Sequence, residues 1–172
     1  MIYDYQGTYP DTGAGAFIAE SADIAGAVTV GKDASIWFNV SIRADLAEIA
    51  IGDRSNIQDN AIVHVDKGKP VAIGSGVTIG HGAIIHSCTI GDDCLIGMGA
   101  IIMNGSVIGE ESIVGAGALI TEHKTFPARS LIIGSPAKAV RTLTEEEIEA
   151  IKENCREYVA LAEKYHRKER EN

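Results

Sequence analysis

Aromatic residues are scarce in this chain of 172 residues: they make up 5% of it, against 45% hydrophobic residues overall. A core of Val, Ile and Ala suits narrow stacked β-coils better than a helical bundle. Basic residues are also few. Fifteen Lys and Arg stand against 24 Asp and Glu, a net charge of -9. That argues against nucleic acid as a partner, since phosphate binding needs clustered Lys and Arg. One stretch, His166-Arg167-Lys168, is locally basic, but Glu163, Glu169 and Glu171 interleave with it, and it reads as a solvated helix end. No apolar run approaches the roughly 18–20 residues of a membrane span. The start, Met1-Ile2-Tyr3-Asp4-Tyr5, has neither the basic flank nor the apolar run of a secretory signal. The three cysteines, Cys88, Cys94 and Cys155, are odd in number and form no CxxC. The expectation is a soluble protein of a reducing compartment, the cytoplasm, with no membrane partner. Its cysteines are expected as small core or turn residues.

What the chain does have is a repeat, the feature to seek first. An aliphatic residue recurs every six positions at Ile18, Ile24, Val30, Ile36 and Ile42. The register resumes at Ile51, Ile57 and Val63, and again at Ile73, Ile79 and Ile85. It slips once by one residue, then runs Ile90, Ile96, Ile102, Ile108, Val114 and Ile120. Glycine commonly follows, as at Gly52, Gly74, Gly80 and Gly97. A period of six is neither helical nor simple strand alternation. It calls for a short strand and a turn, repeated, with the aliphatic side chain inward. Three such passes make a triangular coil of about 18 residues, and coils stack at about 4.8 Å. The breaks after Ile42 and after Val63 read as loops, the second carrying the turn-rich Asp66-Lys67-Gly68-Lys69-Pro70. Beyond Pro136, Thr144-Glu145-Glu146-Glu147 has the form of a capping box. Ile148, Ile151, Cys155, Tyr158, Ala162 and Tyr165 then mark one amphipathic helix of about 25 residues. It must bury its stripe on the coils or on a neighbouring subunit. The length fits one domain, with a β-helix and lead-in over 1–140 and the helix over 141–172.

Four of the five histidines, His64, His81, His86 and His123, lie in or near the coils. His64 directly follows inward Val63, and His86 directly follows inward Ile85. The 22 positions between them are one coil plus an insertion of four. The two should therefore stack on consecutive coils, within reach of one metal ion. His81 lies around the corner and is a poor third ligand within one chain. With three-fold packing, His81 of a neighbour could complete the set, placing the site between subunits. Three neutral imidazoles with an open position make a catalytic rather than a structural zinc site. Such a metal lowers the pKa of its water to about 7. The competing reading is of scattered surface or interface histidines.

At Val40-Ser41-Ile42-Arg43-Ala44-Asp45, Asn56-Ile57-Gln58-Asp59-Asn60, Val63-His64-Val65 and Gly80-His81-Gly82-Ala83-Ile84-Ile85-His86 the chain resembles the gamma-class carbonic anhydrases. The repeat itself resembles that of the hexapeptide-repeat family over roughly residues 14–136, which implies left-handed coils. The expectation is an all-β, left-handed parallel β-helix of hexapeptide repeats with a C-terminal α-helix, assembled as a homotrimer. The gamma-class resemblance implies metal ligands His64, His81 and His86, with His81 given across the interface, and imidazole suits Zn2+, Fe2+ or Co2+ as the metal. The implied reaction is reversible hydration of CO2 to bicarbonate by a metal-bound hydroxide. Gln58 would then hydrogen-bond that hydroxide or the bicarbonate. Arg43 and Asp59 would pair across the trimer interface, where a planar guanidinium fork suits a desolvated carboxylate. Asp45 and Asn56 would support that network. Tyr158 either reaches the cavity from the helix or packs in its apolar stripe.

The chain departs from the fast members of that family in two places. Leu46 stands where they carry a glutamate beside Asp45, and the loop at residues 66–70 is short, with Lys67 and Lys69 and no Glu. Each turnover must export a proton, for which Asp66 or buffer is the remaining route. Three other readings share the fold: a hexapeptide acyltransferase using acyl-CoA, to which Gly134-Ser135-Pro136-Ala137-Lys138 is equally suited; a metal-dependent thioester hydrolase; and a non-catalytic assembly subunit.

Overall fold

The structure, a computed structural model, describes residues 1–13 and 17–170, the side chains of 166–170 excepted. The six-residue rhythm becomes a parallel β-helix of about 7 turns followed by one helix. Most strands are two or three residues long, because each pass needs only an inward aliphatic and its outward neighbour before the chain turns. The inward side chains stack in three columns. Ile36, Ile57, Ile79, Ile96, Val114 and Ile132 form one. Ile24, Ile42, Val63, Ile85, Ile102 and Ile120 form the second. Val30, Ile51, Ile73, Ile90, Ile108 and Phe126 form the third. All are buried; of the repeat positions, only Ile18 is left half-buried.

Two strands are longer. Asp23–Val30 and Ser41–Ile51 run around a corner of the triangle and join two faces into one 11-stranded sheet, leaving the third face as an 8-stranded sheet. The interruption after Ile42, expected as a loop, is therefore strand. Gly26 pairs with Ala44 and Val28 with Ile49, so residues 45–48 stand opposite Ala27 alone. The extra residues are absorbed as a bulge, which leaves the pairing on both sides intact and re-aims Asp45. Gly26 makes this possible: its φ is +79°, and a Cβ there would lie 2.2 Å from the Ala44 carbonyl oxygen. The second interruption is the expected turn, closed by a bridge between Asp66 and Lys69 around Gly68 at φ +68°.

Strand Ala137–Thr142 folds back antiparallel on Ser130–Gly134 and ends the coils. The helix, Glu145–Arg170, starts at the expected capping box. The Glu147 carboxylate accepts from the Thr144 amide at 2.9 Å, and the Glu147 amide donates to Thr144 Oγ1 at 3.3 Å. The helix lies along the 8-stranded face of its own chain: Ile148 and Ile151 pack with Leu95, Ile113 and Leu131, while Ala162 and Tyr158 pack with Phe17 and Trp37. All three cysteines are free and buried, and desolvation pushes the Cys88 and Cys94 thiols up to about 12. Among the described residues no helix is long and apolar enough to cross a membrane. The side chains of His166-Arg167-Lys168 lie outside the described residues.

Candidate metal centre

The residues singled out from the sequence fall into two groups on two faces of the coil. The first is on the face that carries strands Ile62–His64 and Ile84–His86. Arg43, His64 and His86 occupy one register position on three consecutive coils, so the expected stacking of the histidines is found. Nδ1 of His64 and Nε2 of His86 face each other at 3.1 Å. The outer nitrogen of each ring has its own acceptor. His64 Nε2–H donates to Asp45 Oδ1 at 3.1 Å, and His86 Nδ1–H donates to Asn104 Oδ1 at 2.6 Å. Asp45, aimed by the bulge, also accepts from Arg43. Burial draws the Asp45 carboxyl upward, but the hydrogen bonds from His64 and Arg43 outweigh it and hold the group below the usual carboxylate range.

The second group lies where the 8-stranded face turns its corner. Ile57 pairs with Ile79, which brings Asp59 beside His81: His81 Nδ1 is 2.9 Å from Asp59 Oδ2. Gln58, 5% exposed, donates to Asn56 Oδ1 at 3.1 Å. Asn56 donates to Thr78 Oγ1 at 2.9 Å, and Thr78 to Asn154 Oδ1 of the helix at 3.0 Å. Gln58, Thr78, His81, Met98, Asn154 and Tyr158 line a cleft of about 370 Å³. Tyr158 lines this cleft, and its ring also meets Trp37 edge-on at 5.5 Å. Burial, and then the Asp59 carboxylate, push its phenol pKa up.

The Arg43–Asp59 pair is expected between chains; within one chain Arg43 pairs with Asp45, and Asp59 with His81, each taking the partner on its own face. Among the described residues no group of three or more His, Cys, Asp or Glu side chains converges on one point. Sequence reading missed Asn104, Thr78 and Asn154. Thr78 had a signal, since it stands in register with Asn56 as His86 does with His64. Asn104 had none, because Ile85 pairs with Ile102 and puts Met103 in line with His86.

The coils, the six-residue repeat and a match over residues 87–122 to the family "Bacterial transferase hexapeptide (six repeats)" define a hexapeptide-repeat protein. The chain is 44% identical to a carbonic anhydrase of Geobacillus kaustophilus, over 96% of this chain and 91% of that one. It is 53% identical to a probable carbonic anhydrase of Methanocaldococcus jannaschii, over 85% and 92%. A crystal structure of a hexapeptide transferase family protein from Anaplasma phagocytophilum superposes with a TM-score of 0.91 at 41% identity, covering 95% of this chain and 97% of that one. The chain belongs to the gamma-class carbonic anhydrase family.

Membership implies a metal, and the donor set fits one. Asp45 and Asn104 hold the imidazole protons on the outer nitrogens, so in the neutral pair both inner nitrogens turn lone pairs toward each other. Two lone pairs at that distance repel unless a cation lies between or beside them. Bonds of about 2.0–2.1 Å in tetrahedral geometry put two ligand nitrogens roughly 3.3–3.4 Å apart, against 3.1 Å here.

Proposed function

We propose that the chain is a metal-dependent carbonic anhydrase working as a homotrimer, with the metal held by His64 and His86 of one chain and His81 of its neighbour. One observation carries this: the His64 and His86 nitrogens face each other with their protons drawn outward by Asp45 and Asn104. Exposed apolar side chains flank both half-sites, as an interface would require: Leu46 beside Asp45, Ile62 on the His64 strand, and Met98 in the His81 cleft. Zinc, iron(II) or cobalt(II) each suits imidazole, and when bound the ion supplies a Lewis acid able to bring the pKa of a water to about 7.

The chain's own residues supply the rest. Gln58, pinned through Asn56, offers an amide that can donate to or accept from the oxygens of CO2 and bicarbonate without competing for the metal. The walls given by Leu95, Ile96 and Met98 are apolar, which suits a small nonpolar substrate. Arg43 of one chain and Asp59 of the next would exchange their within-chain partners for each other as His81 is brought to the histidine pair. Leu46 cannot carry a proton, so export falls to Asp66 or to buffer. The buried, free cysteines accord with a reducing, cytoplasmic setting. Stopped-flow CO2 hydration on protein loaded with zinc, or anaerobically with iron(II), tests the reading. Metal-dependent hydration is expected. A fully loaded trimer that leaves CO2 unhydrated would contradict it and point to another activated carbonyl, such as a thioester.

A further inference from the structure

We propose that Asn104 is a positioning residue for His86, and that Asp66 fixes which way the Asn104 amide faces; the metal reading above is the ground on which this matters. His86 must present a lone pair at Nε2, the nitrogen facing His64. A free imidazole keeps its proton on either nitrogen. Asn104 Oδ1 lies 2.6 Å from His86 Nδ1, and a carbonyl oxygen only accepts, so the proton stays on Nδ1. An asparagine can, however, turn its amide over. Nδ2 would then demand a lone pair at His86 Nδ1 and send the proton to Nε2, where the metal would bind.

Asp66 prevents this reversal. Its Oδ2 accepts from Asn104 Nδ2 at 2.7 Å. A carboxylate has no proton to give, so a reversed amide would set two oxygens against each other. Asp66 is itself held by the residue that follows His86. Ser87 Oγ accepts from the Asp66 amide at 2.6 Å and donates to the Lys69 carbonyl at 3.0 Å, closing both ends of the turn. Ser87 is 3% exposed, and its amide donates to the His64 carbonyl at 3.1 Å. One turn is thereby tied to both histidine strands. His64 has its carboxylate, Asp45, in direct contact, whereas His86 has one acting through an amide. Hydrogen bonds to the non-ligating nitrogen set the tautomer of a ligand histidine and tune its affinity.

The test uses the full chain stripped of metal, at pH 8, with two-bond 1H–15N correlation of the imidazole nitrogens. Wild type should show His86 with its proton on Nδ1. Asn104→Ala should shift His86 toward the Nε2–H form and weaken zinc binding about 10–100-fold in chelator competition. N104D, which sets two carboxylates face to face, should also weaken zinc. Adding D66N makes amide and carboxylate trade places, leaves an acceptor at His86 Nδ1 and should return the affinity toward wild type. An unchanged Nδ1–H tautomer in N104A, or a D66N/N104D protein no better than N104D, would overturn the proposal. Should N104A fail to fold, the second pair still decides. A tautomer shift in N104A from a wild type that binds no zinc would uphold the positioning role while sinking the metal reading.

Discussion

Gln58 and His81 share a cleft but should answer differently to truncation. His81 is 46% exposed at its side chain and points out of the coil, so His81→Ala should fold normally and lose stoichiometric zinc. Metal analysis of the purified variant checks this, and full retained zinc would sink the interface site. Gln58 is buried and donates to Asn56. Gln58→Ala should keep its zinc and slow CO2 hydration by about 10–100-fold. At this scale much was legible in advance. His64 and His86 could be paired because each follows an inward aliphatic and three strand passes separate them, a register that a β-helix converts into stacking. Asn104 could not be found that way, since it reaches His86 from a turn, one place past the aligned residue. The within-chain pairing of Arg43 with Asp45 was also out of reach: the resemblance names a pair between chains, and a single chain offers the guanidinium a nearer carboxylate.

Among the elements, the coil and the helix start make separate predictions. Glycines stack where coils meet. A Cβ on Gly52 would lie 2.5 Å from the Gly74 carbonyl carbon and oxygen, and both are backbone atoms that cannot swing aside. Gly52→Ala should therefore destabilise the coil by about 1–3 kcal/mol, read as a lower denaturation midpoint. At the helix start, the Arg141 guanidinium and then the Thr144 amide hold the Glu147 carboxyl down at about 2. A depressed folded-state pKa stabilises above the ordinary glutamate value, and that contribution is lost as pH falls through about 2. Glu147→Gln should thus weaken the protein at pH 7 and make little difference near pH 2, by thermal melts across that range. The repeat and the capping box were readable because each is local. The bulge at residues 45–48 was not: an interrupted repeat looks the same whether the extra residues loop out or stay paired, and Gly26 on the preceding coil decides it.

On the scale of the whole molecule, the account rests on two half-sites that one chain keeps apart. His64 and His86 lie on one face, His81 and Asp59 around the corner, each set with its own hydrogen bonds. A metal site built from them needs two chains. The most direct measurement is zinc content in mixed trimers made from two variants, one lacking only His81 and one lacking only His64. Neither variant alone should hold zinc. Around a three-fold ring of both, one junction joins an intact histidine pair to an intact His81, so each mixed trimer should bind one zinc ion. No zinc in mixed trimers, with subunit exchange verified by native mass spectrometry, would contradict the shared site.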